Sequence, residues 1–121
     1  VYGKVDKSIK VMKDDLIYYE NNKKISQKAV SNLKIIKSHE GYSFLELNPI
    51  TGRKHQLRKQ LLKIGCPIIG DDKYFSNNRK RLKIKNLMLH AYKIKFMINN
   101  VQYNFKAKYN SLFEDFLKKN F

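Results

Sequence analysis

Between Asn48-Pro49 and Cys66-Pro67 the chain is confined by turn formers, Thr51-Gly52 on one side and Gly65, followed at one remove by Pro67, on the other. The interval has room for a tight turn and one short helix, opened at Thr51 or Arg53 and stopped at Gly65. At about 100° per residue with Leu57 at zero, Ile64, Leu61 and Leu62 fall at about −20°, 40° and 140° and form one apolar stripe. Arg58 falls at about 100°, inside that stripe. Gln56, Lys59, Gln60 and Lys63 fall on the opposite side, the side expected to face water.

An arginine aimed at an apolar face keeps its charge and needs an acceptor. A carboxylate is the natural partner because the guanidinium fork matches it in bidentate geometry. Two readings stay open: Arg58 meets a buried carboxylate, or it snorkels along the stripe to solvent.

The rest of the chain supplies sheet. Residues 1–5, 9–12 and 16–19 read as short strand-like pieces, and Asn21-Asn22-Lys23-Lys24 as a polar loop. Leu33 and Ile35 are expected to pair with Tyr42, Phe44 and Glu46 through a turn at Ser38-His39-Glu40-Gly41. Residues 87–98 alternate like a strand. Asn99-Asn100 reads as a two-residue hairpin turn, and Val101, Tyr103, Phe105 and Ala107 return as the partner strand. Ser111 and Glu114 suggest a capping box opening a last helix, with Leu112, Phe113, Phe116 and Leu117 on its apolar face. The expectation is an α+β fold, a mainly antiparallel mixed sheet with two helices, in which 1–121 make a single partial domain.

Charge narrows the partners. The 26 basic residues outweigh the 10 acidic ones and give a net charge of +16, which points to a polyanion. Lysine dominates, so the four arginines, Arg53, Arg58, Arg79 and Arg81, are the more informative cations. One cysteine, Cys66, excludes an internal disulfide and reads as a small buried residue. The histidines at 39, 55 and 90 have no metal-ligand spacing. No long apolar run or signal-peptide pattern argues for a membrane or secretion, so a cytoplasmic location is the expectation.

Three ordered blocks then stand out: Thr51-Gly52-Arg53-x-His55-Gln56-x-Arg58, Ile64-Gly65-x-Pro67-Ile68-x-Gly70-Asp71-x-x-Tyr74, and Leu87-Met88-Leu89-His90-Ala91. Together they resemble the C-terminal half of the RluA-type pseudouridine synthase catalytic domain, whose order is T-G-R-x-H-Q-x-R, a G-H-P-I-x-G-D-x-x-Y turn and an L-H-A strand. Ala29-Val30-Ser31 fits that family's A-x-T as well. The resemblance implies isomerisation of uridine in RNA, of a 23S-type ribosomal kind, with no cofactor or metal. It implies that Arg58 pairs with the catalytic aspartate, that Leu89 helps line the uracil pocket, and that Arg53 and His55 lie near the RNA. Lys54, Lys59, Arg79 and Arg81 join them as candidate RNA contacts, and Tyr74 is the candidate to stack on a base.

The departures are as informative. The family's H-R-L-D motif, which carries that aspartate, does not occur in the 121 residues. The family's second motif, a tyrosine about six residues before a glycine matching Gly3, would lie ahead of Val1, and Tyr2 has the wrong spacing to replace it. An N-terminal fragment of the same enzyme is therefore an expected partner, and a noncatalytic basic RNA-binding remnant is the alternative. Asp71 and Asp72 offer a rival to the external aspartate, because after Gly70 they are placed to stabilise a turn or answer Arg58. His90 is read as a structural histidine.

Overall fold

The computed structural model describes residues 1–76, 84 and 86–121. Strands β1 (Val11–Glu20), β2 (Lys23–His39) and β3 (Tyr42–Pro49) form an antiparallel sheet in the order β1-β2-β3. Helix α1 (Gln56–Lys63) follows, then an antiparallel pair, β4 (Lys93–Ile98) with β5 (Val101–Lys106), and helix α2 (Ser111–Asn120). The α+β class, the antiparallel sheets and the two helices match the sequence expectation.

All three hairpins use two-residue turns with left-handed backbone. Asn21 and Asn22 have φ of 49° and 62°, Glu40 and Gly41 of 45° and 85°, and Asn99 and Asn100 of 49° and 63°. Positive φ at both central positions matches the right-handed twist of the flanking strands, which is why Asn and Gly occupy most of them. The first turn takes up only Asn21-Asn22, so Lys23 and Lys24 pair with Glu20 and Tyr19 rather than lying in a loop. The second hairpin carries a bulge between Ile35 and Lys37.

Alternation along β1 and β2 sends Met12, Leu16, Ala29, Ser31 and Leu33 to one face, each no more than 5% exposed. Leu61 of α1, Val5, Cys66 and Ile68 close that face into the core. The Asp14-Asp15 pair does not split β1 as the sequence suggested. Asp14 meets Lys63 of α1 at 3.5 Å, and Asp15 points outward. Residues 1–5 make no strand, only a bridge between Tyr2 and Tyr42. On the other face of β3, Tyr42 and Phe44 meet the rings of α2, Phe116 at 5.8 Å and Phe113 at 6.2 Å. That helix is capped by Asn110, whose side chain accepts from the Phe113 N–H at 2.9 Å, one residue before the expected Ser111.

The helix wheel misplaced two glutamines. Gln56 and Gln60 are buried, not solvated, at 4% and 0% exposure. Gln60 Nε2 donates to the carbonyls of Met12 and Ala29 at 3.1 and 3.3 Å, and its Oε1 accepts from Ser31 Oγ at 2.6 Å. Gln56 Nε2 donates to Ser31 Oγ at 2.7 Å and to the Val30 carbonyl at 3.0 Å. The two amides thus answer polar groups of the sheet that α1 shuts away from water, where an unanswered one costs about 1–3 kcal/mol.

Candidate active site

The approach to α1 is built by its buried glutamine. Gln56 Oε1 accepts from Thr51 Oγ1 at 2.6 Å and from the Arg53 N–H at 3.0 Å, which holds the Thr51–Arg53 turn against the helix start. Thr51 Oγ1 in turn accepts from the Val30 N–H at 3.0 Å, fixing the turn to β2. The helix therefore begins at Gln56 rather than at Thr51 or Arg53. His55 is its N-cap, in the left-handed conformation at φ 54°. For a non-glycine residue that costs about 1 kcal/mol. It is held there by its ring, whose Nδ1 lies 2.9 Å from the Tyr74 hydroxyl.

Arg58 projects from the first turn of α1 and pairs with Asp71. Nε donates to Oδ2 at 2.8 Å and Nη2 to Oδ1 at 2.7 Å. The Arg58 side chain is 17% exposed and the Asp71 side chain fully covered, while the exposed Asp72 stands 3.7 Å from Nη2. The snorkelling alternative is excluded, and the acceptor within this chain is Asp71. Burial pushes the Asp71 carboxyl up. The Arg58 fork and the N–H groups of Tyr74 and Lys73, which donate to Oδ1 at 2.9 and 3.0 Å, outweigh it and leave the carboxyl below its usual value. Its hydrogen bonds to the Asp71 carboxylate raise Arg58 above the ordinary arginine value, against its own partial burial. The Tyr74 ring covers the guanidinium at 5.0 Å.

A turn delivers Asp71 to this position. Gly70 has φ 84°, and a Cβ there would lie 1.9 Å from the Asn86 carbonyl oxygen, so only glycine fits. Beside it the Met88 N–H donates to the Ile69 carbonyl at 2.8 Å. Residues 87–92, expected as part of a strand, lie ahead of β4, which begins at Lys93; Met88 is held on this turn, while the Tyr92 carbonyl accepts from the Ala107 N–H at 2.8 Å beside the β4–β5 pair. Leu89 lies between them and is 39% exposed. His90 packs on Tyr109 at 5.2 Å and its Nε2 lies 3.1 Å from the Ala107 carbonyl oxygen, a structural role as expected.

A cationic border adjoins the pair. Lys59 Nζ sits 3.7 Å above the Tyr18 ring, and the Tyr18 hydroxyl donates to the Lys54 carbonyl at 2.8 Å. Arg53 Nε donates to the Lys28 carbonyl at 2.9 Å. Burial, then Lys73 and Lys54, lowers the Lys59 pKa. Burial, then Arg58 and three lysines, lowers that of His55. Several cations are thus crowded onto one border, which an approaching anion would relieve. The structure brings together Arg53, Lys54, His55, Arg58, Lys59 and Tyr74. Arg79 and Arg81 lie outside the described residues. Sequence reasoning missed Tyr18 and Lys73. Tyr18 shares the inward face of β1 with Met12 and Leu16, and that alternation was the available signal. Among the described residues no three His, Cys, Asp or Glu side chains are grouped to hold a metal.

The profile of a known family, RNA pseudouridylate synthase, matches residues 1–63, just over half of the chain. The chain belongs to that family. The family's relatives include the ribosomal large subunit pseudouridine synthase C of Rickettsia felis, 45% identical over 76 residues, which are 62% of this chain and 23% of that protein. The ribosomal large subunit pseudouridine synthase D of Borreliella burgdorferi is 33% identical over 93 residues, 77% of this chain and 28% of that protein. Among solved synthase structures, human RNA pseudouridylate synthase domain containing 4 superposes with a TM-score of 0.67 at 28% identity, over 85% of this chain and 49% of that one. The chain thus spans about a quarter of the length of these two curated relatives and about half of the solved one.

Proposed function

We propose that residues 1–121 are part of the catalytic domain of a pseudouridine synthase acting on large-subunit ribosomal RNA in the cytoplasm. The reaction breaks the bond from C1′ to N1 of a uridine, turns the uracil and joins C5 to C1′. C5 gives up its proton, and N1 gains one. The observation that carries the reading is Arg58, fixed on one edge by Asp71 and under one face by Tyr74. Asp71 takes Nε and Nη2; among the described residues no hydrogen bond reaches Nη1. That edge is the one offered to an aspartate supplied by the preceding part of the domain, which it would hold ionised and oriented.

Asp71 itself is a poor candidate for the attacking acid. Oδ1 accepts three hydrogen bonds and Oδ2 accepts the Arg58 Nε, so attack would break the arrangement that keeps Arg58 in place. Asp71 is better suited to positioning. Arg53, Lys54 and Lys59, with His55, line the border that would grip phosphates, while Leu89 and Tyr74 would meet the extruded base. A second reading, a noncatalytic RNA-binding remnant, is favoured by one fact: Asp71 already neutralises Arg58 within the chain.

The two readings separate on a large-subunit ribosomal RNA transcript. The 121-residue chain alone should form no pseudouridine. The same chain joined to the preceding portion of the Rickettsia felis relative, which would bring an H-R-L-D motif, should form it. An inactive fusion would favour the remnant, and activity of the chain alone would refute the need for an external aspartate.

A further inference from the structure

His55 occupies a backbone conformation that the helix start does not explain. It is the N-cap of α1 at φ 54° and ψ 30°, and its side chain makes no capping hydrogen bond. Glycine enters the left-handed region without strain and asparagine with little, whereas a histidine there is held against its preference. Strain of this kind persists where the surroundings fix the residue and points to work done by its side chain. The imidazole reaches Tyr74. Nδ1 lies 2.9 Å from the hydroxyl, and the two rings meet edge to face with centroids 5.5 Å apart.

Tyr74 is thereby tied at both ends. Its N–H donates to Asp71 Oδ1 at 2.9 Å, its ring covers the Arg58 guanidinium at 5.0 Å, and its hydroxyl meets His55. Ring and hydroxyl belong to one rigid phenol, so a bond at the hydroxyl sets the plane on which the guanidinium rests. That ring has rival cations, Lys73 Nζ at 5.5 Å and Lys59 Nζ at 6.0 Å. The bond to His55 is what keeps it on the guanidinium. The phenol can donate to Nδ1 or accept from it, so either neutral tautomer preserves the tie. Burial, then Arg58, Lys73, Lys54 and Lys59, keeps the imidazole neutral, and a neutral ring adds no charge for a phosphate to meet. His55 and Arg58, three residues apart at the start of α1, are thus joined a second time through Tyr74.

We propose that His55 is a positioning residue for the synthase reaction, holding Tyr74 over Arg58 so that the guanidinium keeps one direction for the aspartate it orients. The inference rests on the function proposed above.

The test pairs two readouts. In the 121-residue chain, the Arg58 Nε–H should exchange with solvent roughly tenfold faster in His55→Gly and in Tyr74→Phe, while the midpoint of chemical denaturation moves little. In the fusion described above, each change should lower the single-turnover rate of pseudouridine formation roughly tenfold at saturating RNA, with RNA affinity nearly unchanged. The double variant should be no slower than either single one. His55→Asn places an amide atom where Nδ1 stood and tolerates the left-handed backbone, so it should restore both rates to within about threefold. Unchanged Arg58 exchange in His55→Gly overturns the proposal, as does a double variant whose losses multiply. RNA affinity that falls while the rate holds overturns it in favour of a phosphate contact. A denaturation midpoint that falls with the rate and is not restored by His55→Asn overturns it in favour of a purely structural residue. If the unmodified fusion is inactive, the proposed function fails, and the exchange rates alone uphold or overturn the positioning.

Discussion

The two sheets are built by the same local rules and end in opposite environments. In β1-β2-β3, alternation delivers Met12, Leu16 and Leu33 to a face that α1 closes, and Gln56 and Gln60 satisfy the polar groups trapped beneath it. In β4–β5 the turn chemistry is the same Asn-Asn pair and the alternation is at least as regular. Yet every residue of both strands is exposed. Alternation and turn residues are enough to form a hairpin. What buries it is a second layer, which the first sheet has and the second lacks among the described residues.

The largest expected effect contrasts the two regions directly. Leu61→Ala removes a fully buried side chain and should lower stability by about 2–5 kcal/mol in chemical denaturation. Phe96→Ala in the same chain should cost under about 0.5 kcal/mol, and comparable losses would break the contrast. Gln60→Leu keeps the volume but strands the carbonyls of Met12 and Ala29 and the Ser31 hydroxyl, and should cost about 2–3 kcal/mol. A neutral result would mean water reaches beneath α1.

Asp71→Asn leaves Arg58 partly buried without its carboxylate. Because Arg58 retains some exposure, the loss should be about 2 kcal/mol, below that of a fully buried pair. Asp71 is depressed in the folded state, so its stabilisation is complete above the unfolded carboxyl pKa and declines as pH falls through the lower folded value. Acid titration of Asp71→Asn should show that much less loss, and unchanged acid sensitivity would remove the pair from the account. His55 has the smallest effect. Its depressed pKa means folding loses a little stability as pH falls below about 6.5, the unfolded value, toward the lower folded one. His55→Gln should flatten that slope, and a steeper slope would contradict it.

What could be read in the sequence follows range. The hairpins were legible because Asn99-Asn100, and Gly41 next to Glu40, specify a turn within a few residues. The register of the β2–β3 hairpin was not: Leu33 and Ile35 pair with Leu47 and Leu45 rather than with the expected Tyr42, Phe44 and Glu46, of which Tyr42 and Phe44 face the rings of α2. Arg58 was legible as a cation on an apolar face, with a buried carboxylate and snorkelling both open, and Asp71, thirteen residues on, only as one of two rivals to an aspartate from outside the chain. Gln56 and Gln60 were misread because an eight-residue helix has few apolar positions to fix its inward side. The demand that buries them comes from carbonyls as distant as Met12. Tyr18 was missed for the same reason, since its partner, the Lys54 carbonyl, is 36 residues away. Residues 87–92 alternate like a strand, but the Met88 N–H is spent on the Ile69 carbonyl, and only at Tyr92, whose carbonyl accepts from the Ala107 N–H, does the segment join the hairpin.

The central claim is that Arg58, steadied by Asp71, orients an acid that arrives from the preceding part of the domain. Its most direct test is the single-turnover rate of pseudouridine formation by the fusion carrying Arg58→Ala. The account predicts a fall of at least about a hundredfold with RNA affinity nearly unchanged, the signature of a group that acts on the reacting carboxylate rather than on phosphate. A rate equal to that of the unmodified fusion would contradict it.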